Sequence, residues 1–323
     1  MFYTKKIFIF ILLLSICANA KDLEKVSIQL DWFHQFQFAG YYIAKEKGFY
    51  KQKGLDVTIK ELSTDKNIVK SVLQSKGQYA VGKSSLIEER MNDKKIILLS
   101  AIFQDSPLVL IVKKDSNINY PYDLKNKKIM LTPSAKYSAN INAMLISQGL
   151  SLDDVKFIKH SFDINDLIYN KTDAIGCYLS NEPYILEQRE VEYKILNPRD
   201  YGFNFYGGIF FTSEKELKDH PLRVKKMYEA TLKGWEYTFN HIQESAQIIF
   251  QKYNTNNKSF NAILYEARIL KRLSKIDEGL LGNIDNQRVE KIQKIYTLLG
   301  FCKKDAEPPK VSDYIYKNRP ISN

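Results

Sequence analysis

The sequence predicts an α/β protein of two lobes, each a mostly parallel sheet flanked by helices, with a cleft between the lobes. Three observations predict it. Strand-like alternation and helix-like spacing follow one another from residue 26 onward, as in parallel sheets covered by helices. The rhythm breaks after the short apolar run Ile96 to Ile102 and restarts at Lys128. Everything after Glu214 then reads as helix, which adds a helical cap to a pair of α/β blocks.

Each element has its own signal. Val26, Ile28 and Leu30 alternate with Ser27 and Gln29, a strand. Helical spacing follows at Phe38, Tyr41, Tyr42 and Ile43, and Gly48 is placed to end that helix at C′. Val57 to Ile59 is a second strand. Ile68, Val69, Val72 and Leu73 form one helical face that stops at Gly77, and Tyr79 to Val81 is a short strand. Ser85 with Glu88 three residues on predicts a capping box opening another helix. Ile96 to Ile102 is a buried strand. The second block predicts strands at 128–132, 155–158, 174–179 and 193–196, with helices at 138–148 (closed by Gly149), 164–169 and 183–189. Gly207 to Thr212 is one more strand. Helices are expected at 221–239, 243–253, 260–274 and 288–299. Leu108 to Lys113 and Asn204 to Gly208 are the expected crossings. Residues 21–112 with 208–303 therefore form lobe one, 113–207 lobe two, and 304–323 a tail.

Residues 1–20 read as a secretory signal peptide. Lys5 and Lys6 precede the apolar run Ile7 to Ile16, and Ala18-Asn19-Ala20 is a small-x-small cleavage site. The run is shorter than the roughly 20 residues that span a bilayer. Cys17 offers a lipoprotein ending, but the residue before it, Ile16, is large and branched, so cleavage after Ala20 and a soluble periplasmic chain are expected. The formal charge of +11 falls to +9 without the two leader lysines. Acids interleave the lysines, as in Lys45-Glu46-Lys47, and no run of five like charges occurs. A solvated surface explains this better than a nucleic-acid partner. Cys177 and Cys302 would remain, too far apart in sequence to form a disulfide framework. Both are expected free, with Cys177 buried in a strand. Walker, Gly-x-Gly-x-x-Gly, His-Glu-x-x-His, Cys-x-x-Cys and Gly-x-Ser-x-Gly patterns are all missing from the sequence.

In open α/β sheets, ligands sit beyond the carboxyl ends of strands. That rule directs attention to Asp31 to Phe36, Lys83 to Ser85, Gln104 to Ser106, Pro133 to Tyr137 and Leu179 to Glu182. Asp31 can accept hydrogen bonds from an exocyclic amino group, or cap a helix. Trp32 offers a π-face to a flat heterocycle, or packs near the hinge. His34 and Phe36 share an aromatic run, where His34 is a ligand contact or a structural residue; metal-ligand spacing is missing around it. Tyr41 and Tyr42 form an inward helix face from which one can reach the cleft. Ser84 and Ser85 begin a helix whose free N–H groups suit an anion or carbonyl. Asp105, Asn181 and Glu182 follow strands, and Glu182 either meets a ligand donor or serves the helix start. Ser134 with Lys136 and Tyr137 resembles Ser84 in kind, with Lys136 able to neutralise an acid. Tyr206 stands beside Gly207-Gly208, where backbone can approach closely.

The stretch from Gln29 to Tyr50, QLDWFHQFQFAGYYIAKEKGFY, with Lys53-Gly54-Leu55-Asp56-Val57, resembles the opening of the thiamine-pyrimidine-precursor-binding family. That family belongs to the type 2 periplasmic binding proteins, which serve ABC importers. Asp123 to Ile129, Asp173 to Gly176 and Asn181-Glu182-Pro183 extend the resemblance over about residues 25–300. Asp200 to Gly207 is also similar to members used as sensor domains ahead of membrane kinases and cyclases. The resemblance implies that Asp31 and Trp32 bind and stack on a pyrimidine. It implies further ring and amino contacts from Tyr178 and Glu182, and an approach by Ser134 to Tyr137 from the second lobe. Relatives that bind riboflavin or sulfonates leave the solute open. The expectation is a monomeric solute-capture protein, without cofactor or metal, partnered by an ABC permease. A sensor signalling to a kinase or cyclase is the alternative, and a pyrimidine-forming enzyme the remote one, since the cysteine-rich motif of the fungal enzymes is missing around Phe203 to Gly207.

Overall fold

The computed structural model describes residues 22–62, 67–74, 78–131, 138–301 and 307–317. The leader, Gly77, Ser134, Lys136, Tyr137 and Cys302 lie outside the described residues. In chain order the first block runs β1 (Glu24–Gln29), α1 (Ala39–Glu46), α2 (Phe49–Gln52), β2 (Leu55–Lys60), α3 (Ile68–Gln74), β3 (Gln78–Gly82), α4 (Ser85–Met91) and β4 (Ile96–Phe103). The second runs β5 (Leu108–Lys113), β6 (Lys128–Leu131), α5 (Ala139–Ser147), β7 (Lys156–Lys159), α6 (Asn165–Ile168), β8 (Ala174–Tyr178), α7 (Glu182–Gln188) and β9 (Tyr193–Leu196). The chain then returns through β10 (Gly207–Ser213) to α8 (Glu214–Asp219), α9 (Pro221–Asn240), α10 (Ile242–Lys252), α11 (Phe260–Ser274) and α12 (Asn286–Leu298).

The described strands form two five-stranded sheets, ordered β2-β1-β3-β10-β4 and β7-β6-β8-β5-β9. In each sheet one strand is reversed: β10 is antiparallel to β3 and β4, and β5 to β8 and β9. The reversed strands are the two that arrive from the opposite sheet. A chain leaving the carboxyl end of β4 enters the second sheet at its cleft side and can only run away from the cleft, against its neighbours. The expected crossing Leu108 to Lys113 is thus a full strand of the second sheet, paired from Leu108↔Tyr178 to Val112↔Ala174. The passage between sheets falls at Gln104 to Pro107, earlier than the expected boundary after 112. Among the described residues, no helix is long and apolar enough to cross a membrane.

Gly48 is left-handed (φ 71°) and closes α1 as expected, but it also opens the short α2, which the sequence reading missed. The expected capping box at Ser85 does not form. The helix N-cap is Ser84, and its hydroxyl is used on Tyr206 instead of the helix. Helix α1 carries the opening motif and packs directly on α9. Side chains would forbid that approach: a Cβ at Gly234 would collide with Gly40 O and Ala44, and one at Gly40 with the Trp235 ring. Fully buried Trp235 fills the space between Tyr41, Phe103 and Phe239. This packing anchors the loop after β1 on a rigid base. Cys177 is a free thiol buried in β8.

Candidate functional site

The carboxyl ends of β1, β3, β7 and β8 meet at a cavity of about 90 Å³ between the sheets. The first sheet contributes Trp32, Gln35, Gln37 and Lys83 to its wall. The second contributes Leu108, His160, Phe162, Gly176, Cys177, Tyr178, Asn181 and Glu182. The volume is roughly six to nine times the 10–15 Å³ that one water needs. That is room for a small molecule of several heavy atoms.

The aromatic wall spans both sheets. Trp32 and Phe162 have ring centroids 5.3 Å apart at a 56° tilt, and Phe33 meets Trp32 edge-on at 5.6 Å. Beside Trp32, the side chain of Asp31 is only 12% exposed. Its Oδ2 is 4.0 Å from Lys83 Nζ, while its Oδ1 is buried without a hydrogen-bond partner among the described residues. Burial pushes this carboxyl above its ordinary range, although the Lys83 charge and the residue's own backbone N–H partly offset the effect. Burial also raises Glu182, against the backbone N–H groups of Glu182 and Tyr178 and the Lys258 charge. The Tyr178 N–H donates to Glu182 Oε2 at 3.0 Å, which turns the acid along the cleft floor. Lys83 Nζ lies 5.7 Å from the Tyr178 ring centroid. Two acids and several amide groups around an aromatic wall match a flat molecule rich in hydrogen-bond donors.

A bridge at the rim joins the two sheets. Lys258 Nζ donates to Asn181 Oδ1 (2.6 Å) on one side, and to Gln35 Oε1 (3.0 Å) and Glu266 Oε2 (2.9 Å) on the other. Fully buried Glu266 also accepts the Gln37 N–H at 2.9 Å, so the same acid holds both the bridging lysine and the Gln37 backbone. Behind the cleft, the two crossings are knotted together. Asp105 accepts from Arg199 and Asn204, both at 2.6 Å, with Lys275 at 3.6 Å. Burial alone would raise the Asp105 carboxyl. The Asn204 and Arg199 hydrogen bonds and the nearby positive charges outweigh it and hold the group below its ordinary value. Arg288 donates to the carbonyls of Gln104, Asn204 and Phe205 and lies 3.9 Å over the Tyr206 ring.

Of the residues expected at the ligand, Trp32, Tyr178, Asn181 and Glu182 line the cavity and Asp31 abuts it. The others do different work. His34 Nδ1 is 2.7 Å from Tyr42 Oη, and Tyr42 stacks on Tyr253 at 4.0 Å. Phe36 and Tyr42 are fully buried in the first core. Ser84 clasps the Tyr206 backbone, Ser85 is a buried first-turn residue, and Asp105 and Tyr206 belong to the crossing knot. Gln35 and Lys83, inside the strand-end stretches 31–36 and 83–85 singled out from the sequence, also line the cavity, whereas Gln37, His160, Phe162 and Lys258 lie outside those stretches. The sequence does carry a signal for His160 and Phe162: they follow the carboxyl end of β7, the position at which an α/β sheet meets its ligand. Lys258 lies in a loop more than two hundred residues from Gln35, and nothing local announces it.

Residues 35–245, more than half of the chain, match the family described as NMT1/THI5 like. This chain belongs to that family. A protein of Haemophilus influenzae named for thiamine biosynthesis is 27% identical over 80% of this chain and 83% of its own length. The formylaminopyrimidine-binding protein of Halalkalibacterium halodurans is 20% identical, with 85% of each chain covered. In fold, the periplasmic aliphatic sulphonate binding protein SsuA of Escherichia coli superposes with a TM-score of 0.66 at 12% identity, covering 93% of this chain and 94% of that one. This NMT1/THI5-like chain thus has the two-lobed fold of the periplasmic binding proteins, with a cavity between its two sheets.

Proposed function

We propose that this chain captures a thiamine pyrimidine precursor, or a flat amine-bearing ring of similar size, outside the cytoplasmic membrane and delivers it to an ABC permease without chemical change. The observation that carries this reading is the buried Asp31 Oδ1, without a hydrogen-bond partner among the described residues, next to Trp32, whose ring lines the cavity of about 90 Å³. A buried polar atom without a partner is costly. An exocyclic amino group on a ring stacked at Trp32 relieves that cost. A sulfonate presents only acceptors and would sit against two acids. The 20%-identical relative named for formylaminopyrimidine supports the ligand class. Closure of the lobes over the ring supplies the signal, because a permease must distinguish loaded from empty protein.

The test is thermal unfolding of the chain from Lys21 onward, stripped of carried ligand, against formylaminopyrimidine, thiamine, riboflavin and an alkanesulfonate. A ligand at 100 times its dissociation constant adds about 2.7 kcal/mol, a rise of several degrees for a chain of this size. The expected result is a rise with formylaminopyrimidine that disappears in Trp32→Ala. A rise with riboflavin or the sulfonate alone would sink the pyrimidine reading and keep the fold.

A further inference from the structure

The loop after β7 carries an unusual backbone at the cleft. Phe162 has φ +64°, the left-handed region, where a bulky side chain is an outlier held only by strong local constraints. Its ring is 60% exposed, although it sits on the cavity wall against Trp32 of the other sheet. The constraint is His160. The Phe162 N–H donates to His160 Nδ1 at 2.9 Å, and the two rings stack at 4.8 Å and 17°. His160 Nε2 lies 2.7 Å from the Gly176 carbonyl. A carbonyl can only accept, so Nε2 carries the proton and Nδ1 is bare. One neutral tautomer satisfies both bonds. An imidazolium would set an N–H on Nδ1 against the N–H of Phe162, two donors face to face.

The surroundings keep that ring neutral. His160 is 9% exposed, and the buried Cys177 thiol of β8 shares its wall. Asp166 of α6 faces it with a charge already paired to Lys171 at 2.7 Å. Glu182 of α7 and Lys83 of the first sheet line the same cavity. Burial lowers the imidazole pKa from its ordinary value, while the Gly176 carbonyl and Asp166 act the other way without overcoming it.

We propose that Phe162 is the second lobe's jaw on the ligand, closing against Trp32, and that neutral His160 is the positioning residue that seats it, so that protonation of His160 unseats Phe162 and releases the ligand. Only the identity of the ligand rests on the function proposed above.

The closing experiment has a ligand-free arm and a binding arm. In the ligand-free arm, NMR of histidine-labelled protein follows the His160 nitrogens and the Trp32 indole signal from pH 8 to 5. The expected result is an Nε2–H tautomer at neutral pH, and a Trp32 shift with the same midpoint as His160, below 6.5. In the binding arm, formylaminopyrimidine affinity falls about tenfold per pH unit below that midpoint. Phe162→Leu weakens binding about tenfold. His160→Asn, whose Oδ1 can accept from Phe162 without titrating, keeps binding at neutral pH but flattens the profile. Any pH dependence remaining in that variant belongs to Asp31 and Glu182. An Nδ1–H tautomer, a Trp32 signal constant through the His160 titration, or an unchanged profile in His160→Asn overturns the proposal. Failure of formylaminopyrimidine to bind strikes the functional reading alone, because the ligand-free arm still decides this one.

Discussion

The two sheets share a strand plan but are covered differently. In the second sheet, alternate residues feed two separate cores. Leu110, Val112, Ile129 and Ala174 face one side with Ile141, Met144 and Leu145, while Val109, Ile111, Met130, Ile175 and Cys177 face the other with Leu167 and Leu186. The first sheet lies in one continuous core that also takes in α1 and the C-terminal helices through Trp235, Leu270, Val289 and Tyr296. The helical cap therefore makes lobe one the larger body. Lobe two is a thin sandwich joined to it through two crossings and the Lys258 bridge. Ligand closure is expected to move lobe two as a unit against a fixed lobe one.

The largest expected effect tests that asymmetry in stability. Trp235→Ala should cost about 3–5 kcal/mol and strip hydrogen-exchange protection from both sheets, since lobe two depends on lobe one for its anchoring. Leu145→Ala should cost about 2–5 kcal/mol, with protection lost only from β5 to β9. Matching exchange patterns in the two variants would erase the distinction between the lobes.

A smaller effect is expected at the bridge. Lys258→Met leaves the fully buried Glu266 without its cation. Breaking a buried pair from one side costs about 3–5 kcal/mol; Lys258 is 21% exposed, so about 2 kcal/mol is expected here. Small-angle scattering should show a larger radius of gyration for the variant in saturating ligand. Unchanged scattering would mean that the bridge stabilises lobe one alone.

The smallest expected effect has the opposite sign. The folded state holds the Asp31 carboxyl above its ordinary value of 3.8. The unfolded chain therefore ionises first, and stability is lost as pH rises through 3.8 towards the folded value. Asp31→Asn removes that loss, so at pH 7 the ligand-free protein should gain about 0.5–2 kcal/mol while its ligand response vanishes. Calorimetry at pH 7 with and without ligand reads both signs, and destabilisation of the empty protein would show that Asp31 holds the fold together.

The sequence by itself determined most of the elements, because they rest on local periodicity. Alternation marked β1 and β2, a short apolar run marked β3, 3.6-residue spacing marked α1 and α3, and the stretch after Glu214 read as helix throughout. The opening motif also pointed at Asp31 and Trp32, since the end of β1 is where an α/β sheet meets its ligand. Only the tertiary structure decided which polar residues near those ends face the cleft. His34, Ser84 and Asp105 carry chemistry suited to a ligand, yet each is satisfied by a partner distant in sequence or packed behind the cleft: Tyr42 and Glu61, the Tyr206 backbone, and Arg199 with Asn204. The direction of β5 and β10 was likewise hidden, because strand sense depends on which side the chain enters a sheet and not on the residues of the strand. The wall made by Trp32 and Phe162, and the Lys258 bridge from Gln35 to Asn181, exist only once the strand ends of the two sheets face each other. Local pattern encodes the elements; the pairing of distant side chains across a cleft leaves no periodic trace in the chain.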